Sequence, residues 1–369
     1  MRRLGAAAVL LVLTAAPSAA PRSDSYMQRL KDAEASLATL LVNAWDTTRS
    51  PEKSAALRPF IRALHSLGTE RAFAGDIAGA IVAYDAADRA RSARPFENPA
   101  EASIADEASV EDALQAIVAQ ARTRRVLLIN DGHNMPMHRT FSQRLARELR
   151  KIAYTYLACE TFDSNSPTAC SGVYVGHRGG YYTRGPGFGT WVAQAIADAW
   201  KLVGYEAGVP AAAMSREQRI IEREAEQALN LVERIFAQDK DAKVLIHVGY
   251  DRLDKGSAKT GLDMLHVDQT RFYAHPDPVD DSPLYASMLA KANAVGPFVL
   301  KSKQGEYAVL AGQTGRVGLL PSSGRRAVLA YRAGEPVDAV PADVVLAEAG
   351  TPVPKLLLPA GEYRFAVEE

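Results

Sequence analysis

The amino-acid sequence predicts an α/β protein, with a mostly parallel sheet flanked by helices, an N-terminal helical region and a small C-terminal β domain. Three observations carry that expectation. Between about residues 108 and 295, short aliphatic runs alternate with amphipathic helical patterns, the rhythm of units whose strands pair in parallel. Before residue 100, apolar residues recur at helical spacing. After residue 296, short β runs follow one another between Gly, Pro and Ser turns, with no helical pattern among them.

In the first region, Leu30, Ala33, Leu37, Leu40 and Leu41 share one helix face, and Ala56, Phe60, Ala63 and Leu64 share another. Leu67-Gly68, Gly75-Asp76, Ala80-Ile81, Tyr84 and Ala87 resemble one tetratricopeptide-like helix pair, whose small residues let the helices close. Such arrays need about three units to bury a face, so a helical cap on the next domain is expected. Arg94-Pro95 through Asn98-Pro99 reads as a linker.

In the core, strands are expected at Val126 to Asn130, Tyr154 to Glu160, Leu202 to Glu206, Val244 to Gly249 and Met264 to Asp268. Helical patterns run through Phe141, Leu145 and Leu149, and through Trp191, Val192, Ala195, Ile196 and Ala199. A further helix opens at Ser215, with Gln218 completing a capping box and Ile221, Ala225, Ala228, Val232 and Ile235 on one face. The C-terminal runs are Tyr307 to Ala311, Ala327 to Tyr331, Val344 to Ala347 and Tyr363 to Val367.

Composition narrows the function. The 369 residues, 47% hydrophobic and 23% charged, suit a globular chain of about two to three domains. With 43 basic against 43 acidic residues there is no net field to attract nucleic acid or an anionic membrane. Arg2 and Arg3, the apolar run Ala6 to Ala16 and the small residues Pro17 to Ala20 read as a signal peptide. Removing residues 1–20 predicts a periplasmic or secreted chain with no membrane span, and no Cys stands near the cleavage site to carry a lipid anchor. Cys159 and Cys170 then form one short disulfide or remain two buried thiols.

Ligands of open α/β sheets bind beyond the carboxyl ends of the strands. Those ends read Asn130-Asp131-Gly132-His133, Glu160, Glu206, Gly249-Tyr250-Asp251-Arg252 and Asp268-Gln269. Carboxylates gathered in a cleft beside a His are the parts of a general acid or base. They are also ordinary loop residues, and that reading stays open for Glu206 and Asp268 above all. His138 opens a helix, where a cap or surface place competes with ligand binding; His247, inside an apolar strand, reads as a satisfied core histidine. His65, His177, His266 and His275 carry no distinguishing context. Gly176 to Gly189 holds Tyr181, Tyr182 and Arg184, either a ligand-stacking loop or a packed surface loop. No G-x-S-x-G elbow, H-E-x-x-H, P-loop or EF-hand loop occurs. Gly185-Pro186-Gly187-Phe188-Gly189 misses dinucleotide spacing and reads as a turn.

The segment Val126 to His133, with His138-Arg139, Ala158-Cys159-Glu160, Tyr181 to Arg184, Tyr205-Glu206 and Val244 to Tyr250, resembles the erythromycin-esterase-like and Tiki (haem-binding uptake) superfamily over roughly residues 110 to 270. The likeness is greatest to exported bacterial members. The resemblance puts the family's first acidic residue on Asp131, its first His on His133 and its second Glu on Glu160. Where the family has a later His, this chain has Asp251-Arg252 after Gly249-Tyr250.

The expectation is an exported hydrolase-like protein acting on a small molecule: His133 and Glu160 activate water, Asp131 orients His133, and Arg252 or Arg184 stabilises negative charge. His138, Tyr182, Arg184, Glu206, Tyr250 and Asp268 would contact the ligand. No metal-ligand set is assigned, and the cofactor is unknown. The alternative is an envelope protein that binds haem, a metal or a small ligand without catalysis. A third reading docks an envelope protein partner on the helical region and β domain.

Overall fold

The computed structural model describes residues 25–44, 51–91, 109–162, 174–208, 214–250, 263–270, 273–276, 297–301, 307–311, 324–336, 338–349, 356, 358 and 363–369. The expected signal peptide, the linker at 94–99, Cys170 and Asp251-Arg252 lie outside the described residues.

Helices α1 (Tyr26–Ala44), α2 (Pro51–Phe73) and α3 (Ile77–Arg91) form the N-terminal region. The α2 and α3 helices close because Gly68 has no side chain: a Cβ there would lie 2.5 Å from Cδ2 of Tyr84 on α3. The Tyr84 hydroxyl reaches Thr69 Oγ1 at 3.1 Å across the same contact. Gly75, at φ +84°, turns the chain between the two helices, a conformation that favours glycine.

The core continues with β1 (Ser109–Asp112), α4 (Ala113–Ala121), β2 (Val126–Asn130), α5 (Pro136–Arg150), β3 (Tyr156–Cys159), α6 (Pro186–Ala197) and β4 (Lys201–Gly204). Then come α7 (Arg216–Leu231) with a π-helical turn at Val232–Phe236, β5 (Val244–Val248), β6 (Met264–Asp268), β7 (Pro297–Lys301) and β8 (Tyr307–Ala311). Their sheet runs β1-β7-β8-β6-β2-β5-β3-β4. Five strands, β6-β2-β5-β3-β4, are parallel throughout, in the register Val126↔Val244↔Tyr156 at the core. β2 and β5 are buried at every position, as strands covered on both faces must be. Leu127, Ile129 and Leu245 pack with Leu145, Leu149 and Trp191 of α5 and α6; Leu128, Val244 and Ile246 pack with Leu231 and Ile235 on the other face.

Tyr307 to Ala311 belongs to this sheet rather than to the C-terminal β domain in which the turn rhythm placed it. β8 pairs in parallel with β6 and antiparallel with β7, so the pair covers the β6 edge that would otherwise expose unpaired backbone groups. The small antiparallel sheet is β10-β9-β11, from β9 (Arg325–Arg332), β10 (Asp343–Glu348) and β11 (Tyr363–Glu368). Its Leu329, Tyr331 and Val344 pack on Tyr26, Met27 and Phe73 of the helical region.

The Ser215 capping box is present, Ser215 Oγ accepting from the Gln218 N–H at 3.2 Å and Gln218 Oε1 from the Ser215 N–H at 3.0 Å. Of the apolar face expected on that helix, only Ile235 at its end is fully buried. Leu231 and Ile235 reach the core, whereas Ile221, Leu229 and Val232 face outward, because α7 meets the sheet core by its C-terminal end. No helix among the described residues is long and apolar enough to cross a membrane.

Candidate functional site

Where β2, β3 and β5 end, the chain leaves the sheet at Asp131, Glu160 and Gly249, and a cavity of about 450 Å³ opens between them. Its lining includes Asp131, His133, Glu160, Tyr181, Tyr182, Glu206, Arg223, His247 and Tyr250. Asp131 is its most buried carboxylate, 1% exposed, and its N–H extends the sheet ladder to the Val248 carbonyl at 3.1 Å. Three cationic or potentially cationic groups surround it. Arg139, on the buried side of α5, donates through Nε to Oδ2 at 2.6 Å. His133 Nδ1 lies 3.4 Å from Oδ1, and His247 Nε2 lies 3.4 Å from Oδ2. Burial pushes the Asp131 carboxyl up, but the Arg139 charge, then His247 and His133, hold it well below the usual carboxylate range.

The His133 ring stacks on Tyr182, 3.9 Å between centroids at 20°. On the side of the ring away from Asp131 lies Gly249. A Cβ there would sit 2.9 Å from His133 Cε1, 3.2 Å from Nε2 and 3.4 Å from Glu160 Oε2, so the missing side chain lets imidazole and carboxylate share the space above the backbone. Glu160 is fixed by the Gly249 N–H, which donates to its Oε2 at 2.8 Å, and by an ion pair with Arg223. Arg223 Nη2 also pairs with Glu206, and its Nε donates to Glu206 Oε1 at 2.7 Å. Burial works against the Arg223 charge, yet Glu206 and Glu160 raise its pKa above the ordinary guanidinium value.

Asp131, His133, Glu160, Glu206, Tyr182 and Tyr250 thus meet at one cavity. His138 is not among the cavity-lining residues. It is buried at the start of α5, its Nδ1 accepts from the Gly132 N–H at 3.0 Å, and burial lowers its pKa to about 4, so a neutral ring braces the turn that presents His133. Arg184 donates to the His177 carbonyl at 3.2 Å and is not among the cavity-lining residues. Asp268 accepts from Asn130 Nδ2, the Thr270 N–H and the Thr270 hydroxyl, each at 2.8 Å, tying the end of β6 to β2. Arg252 lies outside the described residues.

Thr161, His247 and Arg223 line the cavity without having been expected there. His247 is buried as an apolar-strand histidine should be, yet its Nε2 meets Asp131 on the neighbouring strand. Its place near the end of the run Val244–Val248, at the edge where the site was sought, was the available signal. Arg223 looks like part of a solvated helix face in the sequence, and only the fold brings it to two carboxylates.

The described side chains of the cavity are not arranged to hold a metal ion. The carboxylates already hold guanidinium groups, Asp131 that of Arg139 and both Glu160 and Glu206 that of Arg223. Among the described residues, no cluster of three or more His, Cys, Asp or Glu is arranged to hold a metal ion.

No protein-family model and no curated protein matches the chain. Among solved structures it is similar to one described as "Crystal structure of bacterial protein toxins", at 13% identity and a TM-score of 0.34, covering 69% of this chain and 68% of that one. A second, "Bacterial protein toxins", is 13% identical at a TM-score of 0.34 and covers 65% of each chain. The signal recognition particle receptor FtsY from Elizabethkingia anophelis is 11% identical at a TM-score of 0.24, over 75% of this chain and 81% of that one. Likeness at this level carries no argument about function.

Proposed function

We propose that the chain is an exported hydrolase-like protein whose cavity activates water against a small, uncharged ester. The observation that carries the reading is His133, set with Nδ1 toward the ionised Asp131 and the opposite side of its ring toward Gly249 and Glu160. In that orientation a neutral His133 takes a proton from water through Nε2, and Asp131 stabilises the imidazolium that results. Arg139 keeps Asp131 charged throughout. Arg223 and Tyr250 are cavity-lining donors of the kind a developing oxyanion needs.

The charge count of the described wall supports an uncharged substrate. Arg139 matches Asp131, and Glu160 and Glu206 share Arg223, which leaves the described wall with one carboxylate charge in excess. An anionic substrate would meet repulsion there, so the neutral ester is favoured. Export follows from the basic, apolar and small-residue order of residues 1–20.

The test is turnover of p-nitrophenyl acetate and longer neutral esters by the purified chain. His133→Ala and Glu160→Gln are each expected to lower kcat/KM by about 100-fold or more. Turnover unchanged in both variants removes the reading. A second reading, a small-ligand-binding envelope protein without catalysis, is favoured by Arg223 already engaging Glu160. It predicts a rise in melting temperature with a bound polar ligand and no ester turnover.

A further inference from the structure

We infer that the N-terminal helical region is a working part of the site, with Glu70 of α2 acting as a positioning residue that holds Tyr182 against His133. The inference deepens the hydrolase reading and rests on His133 being its working group.

Tyr182 controls the His133 ring because the two stack almost parallel at 3.9 Å. Rotating the imidazole away from Asp131 and Glu160 would require that contact to open. Tyr182 itself begins a three-residue 3₁₀ turn, Tyr182–Arg184, which has too few internal hydrogen bonds to fix its own position. Its placement comes from outside, on two sides.

On the sheet side, the Tyr182 N–H donates to Thr161 Oγ1 at 3.0 Å, and Gly180, at φ +150°, lies where a Cβ would be 2.1 Å from the Thr161 carbonyl oxygen. On the other side, the helical region supplies the anchors. The Tyr181 hydroxyl donates to Glu70 Oε1 at 3.0 Å, and the Tyr26 hydroxyl donates to the Arg184 carbonyl at 2.7 Å. A carboxylate that is 6% exposed can hold a hydroxyl in place only if it is itself fixed, and Arg29 of α1 fixes it with two donors, Nε at 3.0 Å and Nη2 at 2.5 Å. The Arg29 guanidinium also lies 5.8 Å from the Tyr181 ring centroid.

Plain packing between two regions needs apolar contact, which Phe73 already supplies against Tyr181, 5.9 Å between centroids. The polar chain Arg29–Glu70–Tyr181 adds direction. It ends on a residue that is 44% exposed, lines the cavity and is bonded to the next residue, Tyr182. A displacement of α1 or α2 is therefore transmitted to the ring that sets His133.

The test reads His133 without a substrate. Diethyl pyrocarbonate acylates an unprotonated imidazole nitrogen, and peptide mass spectrometry gives the rate at His133 in the full-length chain. Tyr182→Ala is expected to raise that rate by uncovering the ring. Tyr181→Phe, which removes one hydroxyl, and Glu70→Gln should each raise it roughly threefold to tenfold, the effect of losing one hydrogen bond. Tyr181→Phe added to Tyr182→Ala should raise it no further. Far-UV circular dichroism and the melting curve of Tyr181→Phe should match the unsubstituted chain, so a general loosening does not produce the change. A wild-type rate in both Tyr181→Phe and Glu70→Gln, with Tyr182→Ala raised, overturns the role of Glu70; no change in Tyr182→Ala overturns the role of the stack. Raised rates in a chain that hydrolyses no ester would fail the hydrolase reading and leave the positioning intact.

Discussion

Replacing Arg139 by Met tests the electrostatic centre of the site. Arg139 and Asp131 are each 1% exposed and joined at 2.6 Å, so the substitution leaves a buried carboxylate without its strongest cation. Removing one partner of such a pair costs about 3–5 kcal/mol, while the Met chain retains much of the packing of the arginine stem. The cost depends on pH in a direction set by the two carboxyl values. In the unsubstituted chain the folded Asp131 value is depressed, so its contribution to stability is present above the unfolded value of about 4 and is lost as pH falls through the folded value. In Arg139→Met burial still raises the folded value and is opposed by His247 and His133 without the Arg139 charge, so the folded value lies above that of the unsubstituted chain. The stability gap between the two proteins therefore widens as pH rises from the depressed folded value of the unsubstituted chain toward the higher folded value of the variant, by at most about 1.4 kcal/mol per unit. Urea unfolding at pH 5 and pH 7, followed by tryptophan fluorescence, measures the gap; Trp191 lies 5.2 Å from His247 and reports on this part of the core. Adding Asp131→Asn to Arg139→Met removes the stranded charge and should return part of the loss at pH 7. A gap equal at both pH values, or a loss under about 1 kcal/mol at pH 7, would refute the reasoning.

Two further perturbations probe the same frame. Gly249→Ala places a methyl 2.9 Å from His133 Cε1, so ester turnover should fall about tenfold or more while stability drops by roughly 1–3 kcal/mol, read by kinetics and urea unfolding side by side. The buried pair of His275 Nδ1 and Asp85 Oδ1, at 2.9 Å, joins α3 to the segment after β6; Asp85→Ala should cost about 1–3 kcal/mol in urea unfolding, and a loss under about 0.5 kcal/mol would show that the contact does not help hold the helical region to the core.

What the sequence discloses and what it hides divide along one physical line. Val126–Asn130 is found at the expected residues because a buried parallel strand is an unbroken apolar run between turn residues, information held within the segment. The Ser215 cap is legible for the same reason, since its two bonds connect residues three apart. Asp131, His133 and Glu160 were reachable because strand ends converge on one edge of a parallel sheet whatever the remaining details. Arg223 and His247 required knowledge of which segments meet. A helix carrying Arg223 between Glu222 and Glu224 looks solvated until α7 is laid across the ends of β3 and β4, and then two carboxylates pin the guanidinium. His247 has apolar neighbours along its own strand, and its polar neighbour sits at the end of β2, one strand away. The same limit explains Tyr307 to Ala311, since an antiparallel pair of short strands reads identically whether it closes a small sheet or covers the edge of a large one. The part of the site that depends on between-segment pairing, Arg139 and His247 on Asp131 and Arg223 on two glutamates, is also the part that sets its charge. Strand ends therefore bring the candidate carboxylates and His133 to one edge, and strand register together with helix placement decides which cations they meet there.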